Sequence, residues 1–175
     1  MIHPAAELRF VSDAIGLGVF ATAYIPRGTI TWAFDMLDQV LLPSQYEALP
    51  RVQQDALDKY VFADITGNHL LCWDAARFVN HSCSPTCRNV GARFDVAVRD
   101  IQPGEEITSD YGELNIEEGF DCLCGLPSCR RFIRPDDRKR HGSVWEAQIS
   151  GVLPLIRNLP QPLREFVAND PAIEF

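Results

Sequence analysis

The segment "RFVNHSC", Arg77 to Cys83, is the most unusual stretch of this chain. Its apolar pair, Phe78 and Val79, is followed at once by the polar and reactive residues of "NHSC". An amide, an imidazole and a thiol in succession suit three interpretations: a turn, a pair of metal ligands, or part of a catalytic pocket. The other motifs of the chain decide among them.

The chain has the size and composition of one globular domain. Its 175 residues are enough to bury a sizeable core. Its 46% hydrophobic and 23% charged residues are ordinary values for a folded protein. A formal net charge of -8 favours basic partners and disfavours direct binding of nucleic acid.

An apolar run near the start, "AIGLGVFATAYI" from Ala14 to Ile25, superficially resembles a signal peptide. The residues before it lack a positively charged region, because Glu7 and Asp13 accompany a single Arg9. The run is also too short to span a bilayer. We therefore expect an intracellular protein of the cytoplasm or nucleus, without a membrane partner.

Short apolar segments bounded by glycine, proline and polar residues predict a mainly β chain. Two short helices are predicted within residues 43–60, separated by Pro50. Another helical region is predicted to begin at Ser143, because Ser143 and Glu146 fit a capping box. The predicted strands are 9–12, 18–23, 29–34, 60–65, 69–73, 93–101 and 106–111.

The cysteines indicate a metal site. Three of them form the pattern C-x-C-x4-C between Cys122 and Cys129, and a closed zinc site takes four ligands. Cys72, Cys83 and Cys87 are the candidates for the fourth. A disulfide framework is the alternative, since the number of cysteines is even, but the absence of a convincing export signal disfavours it.

Four motifs, in the same order, resemble those of SET-domain protein lysine methyltransferases. They are "GLGVFA" at 16–21, "RFVNHSC" at 77–83, "GEEITSDYG" at 104–112 and "CLCGLPSC" at 122–129. The resemblance implies a mainly β (α+β) fold of the β-clip-like kind, in which small curved sheets surround a pseudoknot. Short helices and a C-terminal helical tail complete it.

The same resemblance implies a division of the chain. A SET domain occupies residues 8–115, with 43–60 as a short helical insert, and a post-SET zinc-binding segment follows at 119–134. Residues 135–175 match no family motif, and their own helical pattern predicts a C-terminal helical extension. It has three open roles: packing on the fold, completing the substrate cleft, or forming a homodimer contact. We expect no cysteine-rich pre-SET module before the first strand.

The resemblance also implies two bound groups, S-adenosylmethionine as methyl donor and one structural zinc. Asn80 is expected to hold the amino-acid end of the methyl donor. The zinc ligands are expected to be Cys83, Cys122, Cys124 and Cys129. The residues expected to bind the donor are Gly16, Leu17, Gly18, Tyr60, Arg77, Phe78, Asn80, His81, Tyr111 and Leu123.

Tyr111 is the expected catalytic residue. Methyl transfer from a sulfonium to an amine needs a neutral amine and close alignment, and burial beside a cation lowers the pKa of a lysine. A tyrosine hydroxyl orients that amine. Ser109 stands where the family often has Phe or Tyr, so we expect a roomier pocket and a di- or trimethyl-lysine product.

Charge indicates the substrate class. Residues 105–121 contain seven acids and no base, which would attract a basic protein or peptide such as a histone tail. Two other functions remain as alternatives. One is a catalytically inactive SET module that binds a protein partner. The other is a zinc-dependent nucleic-acid module based on residues 122–140, which the net charge disfavours.

Overall fold

A computed structural model describes residues 1–64 and 66–173. Within them, twelve short strands form four small sheets, joined by helices and 3-10 turns. The strands are β1 (Ala6–Ser12), β2 (Gly16–Ala21), β3 (Ile30–Ala33), β4 (Gln39–Leu41), β5 (Val61–Ala63), β6 (His69–Leu71), β7 (Asn80–His81), β8 (Cys87–Val90), β9 (Phe94–Ala97), β10 (Glu106–Ser109), β11 (Phe120–Asp121) and β12 (Phe132–Ile133). The helices are α1 (Pro43–Glu47), α2 (Arg51–Leu57), α3 (Asp137–Ser150) and α4 (Arg164–Val167), with 3-10 turns at Ala75–Phe78, Tyr111–Glu113 and Leu153–Asn158.

The mainly β architecture predicted from the sequence is confirmed, and proline separates α1 from α2 as predicted. Strands β4, β7, β8, β11 and β12 were not predicted. Ile65, at the end of one predicted strand, and residues 174–175 of the predicted extension lie outside the described residues.

The sheet that positions the site has the order β1-β2-β10-β7. Strand β10 pairs antiparallel with β2, where Ile107 faces Val19, and parallel with β7, where Thr108 faces Asn80. Three of the four motifs therefore meet in one sheet, although they are far apart in the sequence.

The C-terminal extension completes the core. Buried side chains of β3 and β9, among them Ile30 and Phe94, pack with residues that follow α3, including Val152, Ile156 and Leu163. Of the three open roles, packing on the fold is the one that the structure shows. The homodimer contact stays a prediction.

The predicted start of the C-terminal helix is wrong. Helix α3 begins at Asp137, so Ser143 lies inside it rather than at its cap. The Asp137 carboxylate is buried, accepts a hydrogen bond from the Arg134 N–H (3.2 Å) and is paired with Arg130 (3.5 Å). These tertiary contacts fix the first turn. No helix in the part of the chain that the structure describes is long and apolar enough to cross a membrane.

Candidate active site and cysteine cluster

Tyr111 lies at the start of the 3-10 turn that follows β10. Its backbone N–H donates to Nδ1 of His81 (3.0 Å), and its hydroxyl donates to the Val79 carbonyl (2.7 Å). Burial, with a smaller contribution from Glu106, raises the pKa of Tyr111 to about 12. The side chain is therefore a neutral hydroxyl, whose oxygen still has lone pairs available to accept a hydrogen bond.

His81 is neutral as well. Burial lowers its pKa to about 4, against an opposing effect of Asp110. Since Nδ1 accepts from the Tyr111 backbone, the ring proton belongs on Nε2, which lies 3.4 Å from the Cys83 sulfur. His81 thus lies between the tyrosine and the cysteines, and its predicted contact with the methyl donor stays a prediction.

Asn80 and the glycine-containing strand β2 form a small cradle. The Asn80 amide nitrogen donates to the Leu17 carbonyl (3.0 Å) and to Glu106 (2.7 Å). A Cβ atom added to Gly18 would lie 2.9 Å from that nitrogen and would also collide with Glu106. A larger residue there would force these side chains to move. With both amide hydrogens engaged, the side-chain oxygen is the part of Asn80 left to accept a hydrogen bond from a ligand.

Other residues that were predicted to contact the methyl donor lie in two places. Tyr60 packs edge-on against Phe78, with ring centroids 5.4 Å apart, and the Arg77 guanidinium lies 5.2 Å from the Phe78 ring. Leu123 is 63% exposed on the segment between two cysteines. The structure brings the first three together, and the role expected for Leu123 stays a prediction.

A cavity of about 840 Å³ opens beside Tyr111, and Ser109 also lines it. Among the described residues that line it, one is a lysine, Lys59, and one is an arginine, Arg77. The acids lining it are Glu47, Asp58, Asp95, Asp110, Glu113, Glu117 and Glu118. Its aromatic residues are Trp32, Tyr46, Tyr60, Phe62, Tyr111 and Phe120. The cavity combines negative charge with aromatic surface, which suits a cationic side chain.

The four cysteines expected to bind zinc lie together. The sulfur atoms of Cys83, Cys122, Cys124 and Cys129 are all within 4.8 Å of one another. Backbone N–H groups donate to two of them, from Arg130 to Cys83 (3.4 Å) and from Arg131 to Cys129 (3.3 Å). Such donors stabilise thiolates, and four thiolates in a tight group suit a tetrahedral zinc.

The other two cysteines lie elsewhere and are buried. Cys87 accepts a hydrogen bond from the Thr31 hydroxyl (3.2 Å), and Cys72 lines the cavity. All six cysteines are free, so the disulfide alternative has no support.

Asp110 and Glu113 were expected among the acids that attract a basic substrate, but the structure buries both behind Tyr111. Asp110 and Glu113 both pair with Arg88, which is itself buried. Asp110 could have been identified from its place beside Tyr111 in the motif. Arg88 gave no signal, because its burial depends on contacts with distant parts of the chain.

The small sheets hold a buried tyrosine beside an acidic cavity, with a four-cysteine cluster nearby. These features define a mainly β domain with a candidate active site and a candidate metal site. A family model described as "SET domain" matches residues 16–112, more than half of the chain. The chain belongs to the SET-domain family.

Two curated relatives are histone-lysine N-methyltransferases described as H3 lysine-4 specific. The chain is 38% identical over 92 residues to the Schizosaccharomyces pombe protein, covering 47% of this chain and 10% of that one. It is 44% identical over 68 residues to the Saccharomyces cerevisiae protein, covering 33% of this chain and 6% of that one. The chain thus spans a tenth or less of the length of these relatives.

A solved structure supports the fold. The methyltransferase domain of human histone-lysine N-methyltransferase SETMAR superposes with a TM-score of 0.55 at 21% identity. The match covers 76% of this chain and 58% of that one. At this level of identity the similarity concerns the fold alone.

Proposed function

We propose that this chain transfers a methyl group from S-adenosylmethionine to the ε-amine of a lysine in a basic protein, such as a histone tail. One observation carries the proposal. Tyr111 lines an acidic cavity and also donates to the carbonyl of Val79, the residue next to Asn80 and its cradle. A buried neutral hydroxyl is thus shared between a site that suits a cation and a site that suits the methyl donor.

The donor site is assigned to the Asn80 cradle. S-adenosylmethionine would supply an electrophilic methyl group on a sulfonium. The free oxygen of Asn80 can accept a hydrogen bond from an ammonium group, and the missing side chain at Gly18 lets the Asn80 amide pack directly against strand β2. The Tyr60 and Phe78 rings offer an apolar surface. The Asn80 oxygen thus fits the amino-acid part of the proposed donor, and the ring surface fits its apolar part.

Tyr111 orients the lysine. Because its own hydrogen is donated to Val79, its oxygen accepts one N–H of a neutral amine and leaves the nitrogen lone pair free to attack. Burial favours the neutral amine. The pKa of about 12 keeps Tyr111 itself protonated in this position.

The acids of the cavity select a basic substrate. Glu117 and Glu118 come from the acidic segment, and Glu47 and Asp58 face them from the helical insert. Such a surface attracts lysine- and arginine-rich chains. The names of the curated relatives make a histone the first substrate to test, and a histone substrate implies an intracellular setting.

The proposed product is di- or trimethyl-lysine. Ser109 lines the same cavity as Tyr111, and its small side chain leaves room for successive methyl groups. Its hydroxyl also offers a site for an ordered water, which would restrict a methylated amine. We judge volume the stronger effect, since the ring that serine replaces is larger than a water.

Mass spectrometry of a peptide substrate with excess S-adenosylmethionine tests the product. We expect di- or trimethylated lysine in the wild type and a lower methylation state in Ser109→Phe. A wild-type product that stays monomethylated, with a higher state in Ser109→Phe, would show that the water dominates.

Radiolabelled methyl transfer to core histones and to a host-cell lysate tests the function itself. We expect label on lysine side chains. Binding of histone peptides without any transfer would instead favour the alternative, an inactive SET module that binds a protein partner.

A further inference from the structure

We propose that helix α3 is part of the catalytic apparatus, because Trp145, together with Arg88 and Arg130, positions the turn that carries Tyr111. The inference rests on the proposed function for the identity of the reaction. It assigns a role to a helix that lies outside the segment matched by the family model.

Asp110, the residue before Tyr111, is held on both carboxylate oxygens. Arg88 donates to Oδ2 (3.3 Å), and Arg130 donates to Oδ1. Oδ1 also accepts the backbone N–H of Gly112 (3.0 Å), which fixes the backbone after the tyrosine. Asp110 is only 1% exposed, so these bonds have no competition from water.

Trp145 holds the two arginines in place. Its ring centroid lies 5.3 Å from the guanidinium carbon of Arg88 and 6.0 Å from that of Arg130, and the indole is buried. Both distances are within the range of attractive cation–π contacts, which strengthen when the groups are desolvated. One aromatic side chain of α3 therefore orients both donors to Asp110.

Other residues of α3 engage the same network from the same face of the helix. Gln148 accepts from Nε of Arg88 (2.8 Å), and Asp137 pairs with Arg130 (3.5 Å). Positions 137, 145 and 148 are separated by eight and three residues, so they recur on one face of an α-helix. This face of α3 is directed at the Tyr111 turn.

Gly112 shows how closely the helix approaches. A Cβ atom at this position would lie 3.0 Å from Cβ of Asp137 and 3.2 Å from the Trp145 ring. The close approach of α3 thus favours a glycine after Tyr111.

Arg130 also connects this network to the cysteine cluster. Its backbone N–H donates to Cys83, while its side chain bonds Asp110. The Arg130 side chain also interacts with the Cys83 sulfur, so loss of its charge changes the environment of the cluster as well as that of the tyrosine. This double contact provides a readout that is independent of catalysis.

The test compares Trp145→Leu, Trp145→Phe and a control on the same helix, Val144→Ala, whose side chain is exposed. We measure kcat and KM for methyl transfer to a histone peptide, and the visible absorption of protein loaded with Co²⁺ in place of zinc. A second pair of variants is compared in the same way. Arg130→Gln removes one charge from the network, whereas Arg140→Gln removes one charge from an exposed pair with Asp136.

For Trp145→Leu and Arg130→Gln we expect kcat to fall at least about tenfold, with KM changed less than about threefold, because the tyrosine is displaced by a fraction of an ångström. The Co²⁺ spectrum of Arg130→Gln should shift. Trp145→Phe should recover most of the activity, and Val144→Ala and Arg140→Gln should match the wild type.

Variants that fold, keep kcat and the Co²⁺ spectrum, and lose only thermal stability would overturn the inference. If the wild type itself transfers no methyl group, the proposed function fails. The positioning role is then decided by the spectrum alone: a shift in Arg130→Gln but not in Arg140→Gln supports the network, and no shift overturns it.

Discussion

Two side chains at the proposed lysine site, Tyr111 and His81, are uncharged, although charge is abundant nearby. The pKa of His81 is about 4 and that of Tyr111 about 12, and burial is the main cause of both shifts. Both side chains are therefore neutral near neutral pH. The carboxylates of Glu117 and Glu118 line the same cavity. A cationic lysine can thus be attracted by acids and then lose its proton beside neutral groups.

Gly18→Ala tests the donor cradle at the scale of one residue. The added Cβ would displace the Asn80 amide and the Glu106 carboxylate. We expect the affinity for S-adenosylmethionine, measured by calorimetry, to fall at least about tenfold, which is about 1.4 kcal/mol. The fold should survive, because the clashing atoms are ends of side chains.

Gly142→Ala is the matched control. Gly142 lies inside α3 with open space around it, so alanine should stabilise the protein by up to about 1 kcal/mol and leave the affinity unchanged. An unchanged affinity in Gly18→Ala would remove the cradle from the donor site.

Glu113 gives the stability a dependence on pH. Burial raises its pKa to about 7 from an ordinary value of 4.5, although Arg88 opposes the shift. The contribution of this raised pKa to the free energy of unfolding is fully present below about pH 4.5 and is lost as the pH rises through about 7. Denaturant unfolding should therefore show the wild type losing about 3 kcal/mol of stability relative to Glu113→Gln between these limits.

A free-energy difference between wild type and Glu113→Gln that stays constant with pH would contradict this assignment. It would mean that the pairing with Arg88 keeps Glu113 ionised throughout the range.

At the scale of elements, the cysteine cluster joins pieces that have little structure of their own. Strands β11 and β12 are two residues long and pair with each other, Phe120 facing Ile133. Cys83 follows β7 closely, whereas the other three cysteines lie between β11 and β12. A bound zinc would therefore tie this segment to the sheet that carries Asn80.

Metal analysis of purified variants tests this tie. We expect one zinc per chain in the wild type and in Cys72→Ala, whose thiol lies outside the cluster. Cys83→Ser should lose the zinc and unfold at a lower temperature, with weaker binding of S-adenosylmethionine, because structural zinc contributes to folding. Active wild-type protein without zinc, or full zinc content in Cys83→Ser, would contradict the site.

Elements held by tertiary contacts were the ones that sequence reasoning missed. Strands β2 and β10 were predictable, because each has several apolar residues between clear turn signals. Strand β7 is two residues long and exists because it pairs with β10. Helix α3 was placed too late, since a local capping pattern at Ser143 competed with the contacts of Asp137.

At the scale of the whole molecule, motifs were a better guide than periodicity. The four cysteines were grouped correctly from their motifs alone, and the structure gathers them. The buried network could not be predicted in the same way. Trp145 appeared in the sequence only as an apolar residue at helical spacing, and its contacts with Arg88 and Arg130 depend on how α3 docks.

The most direct measurement of the central claim is methyl transfer by Tyr111→Phe, followed by mass spectrometry of a lysine-containing histone peptide. The control is Tyr24→Phe, which removes an exposed hydroxyl. We predict that Tyr111→Phe reduces kcat on the order of 100-fold, because the amine loses its orienting acceptor, while the variant stays folded. Tyr24→Phe should match the wild type. Turnover near the wild-type value in a folded Tyr111→Phe protein would contradict the account.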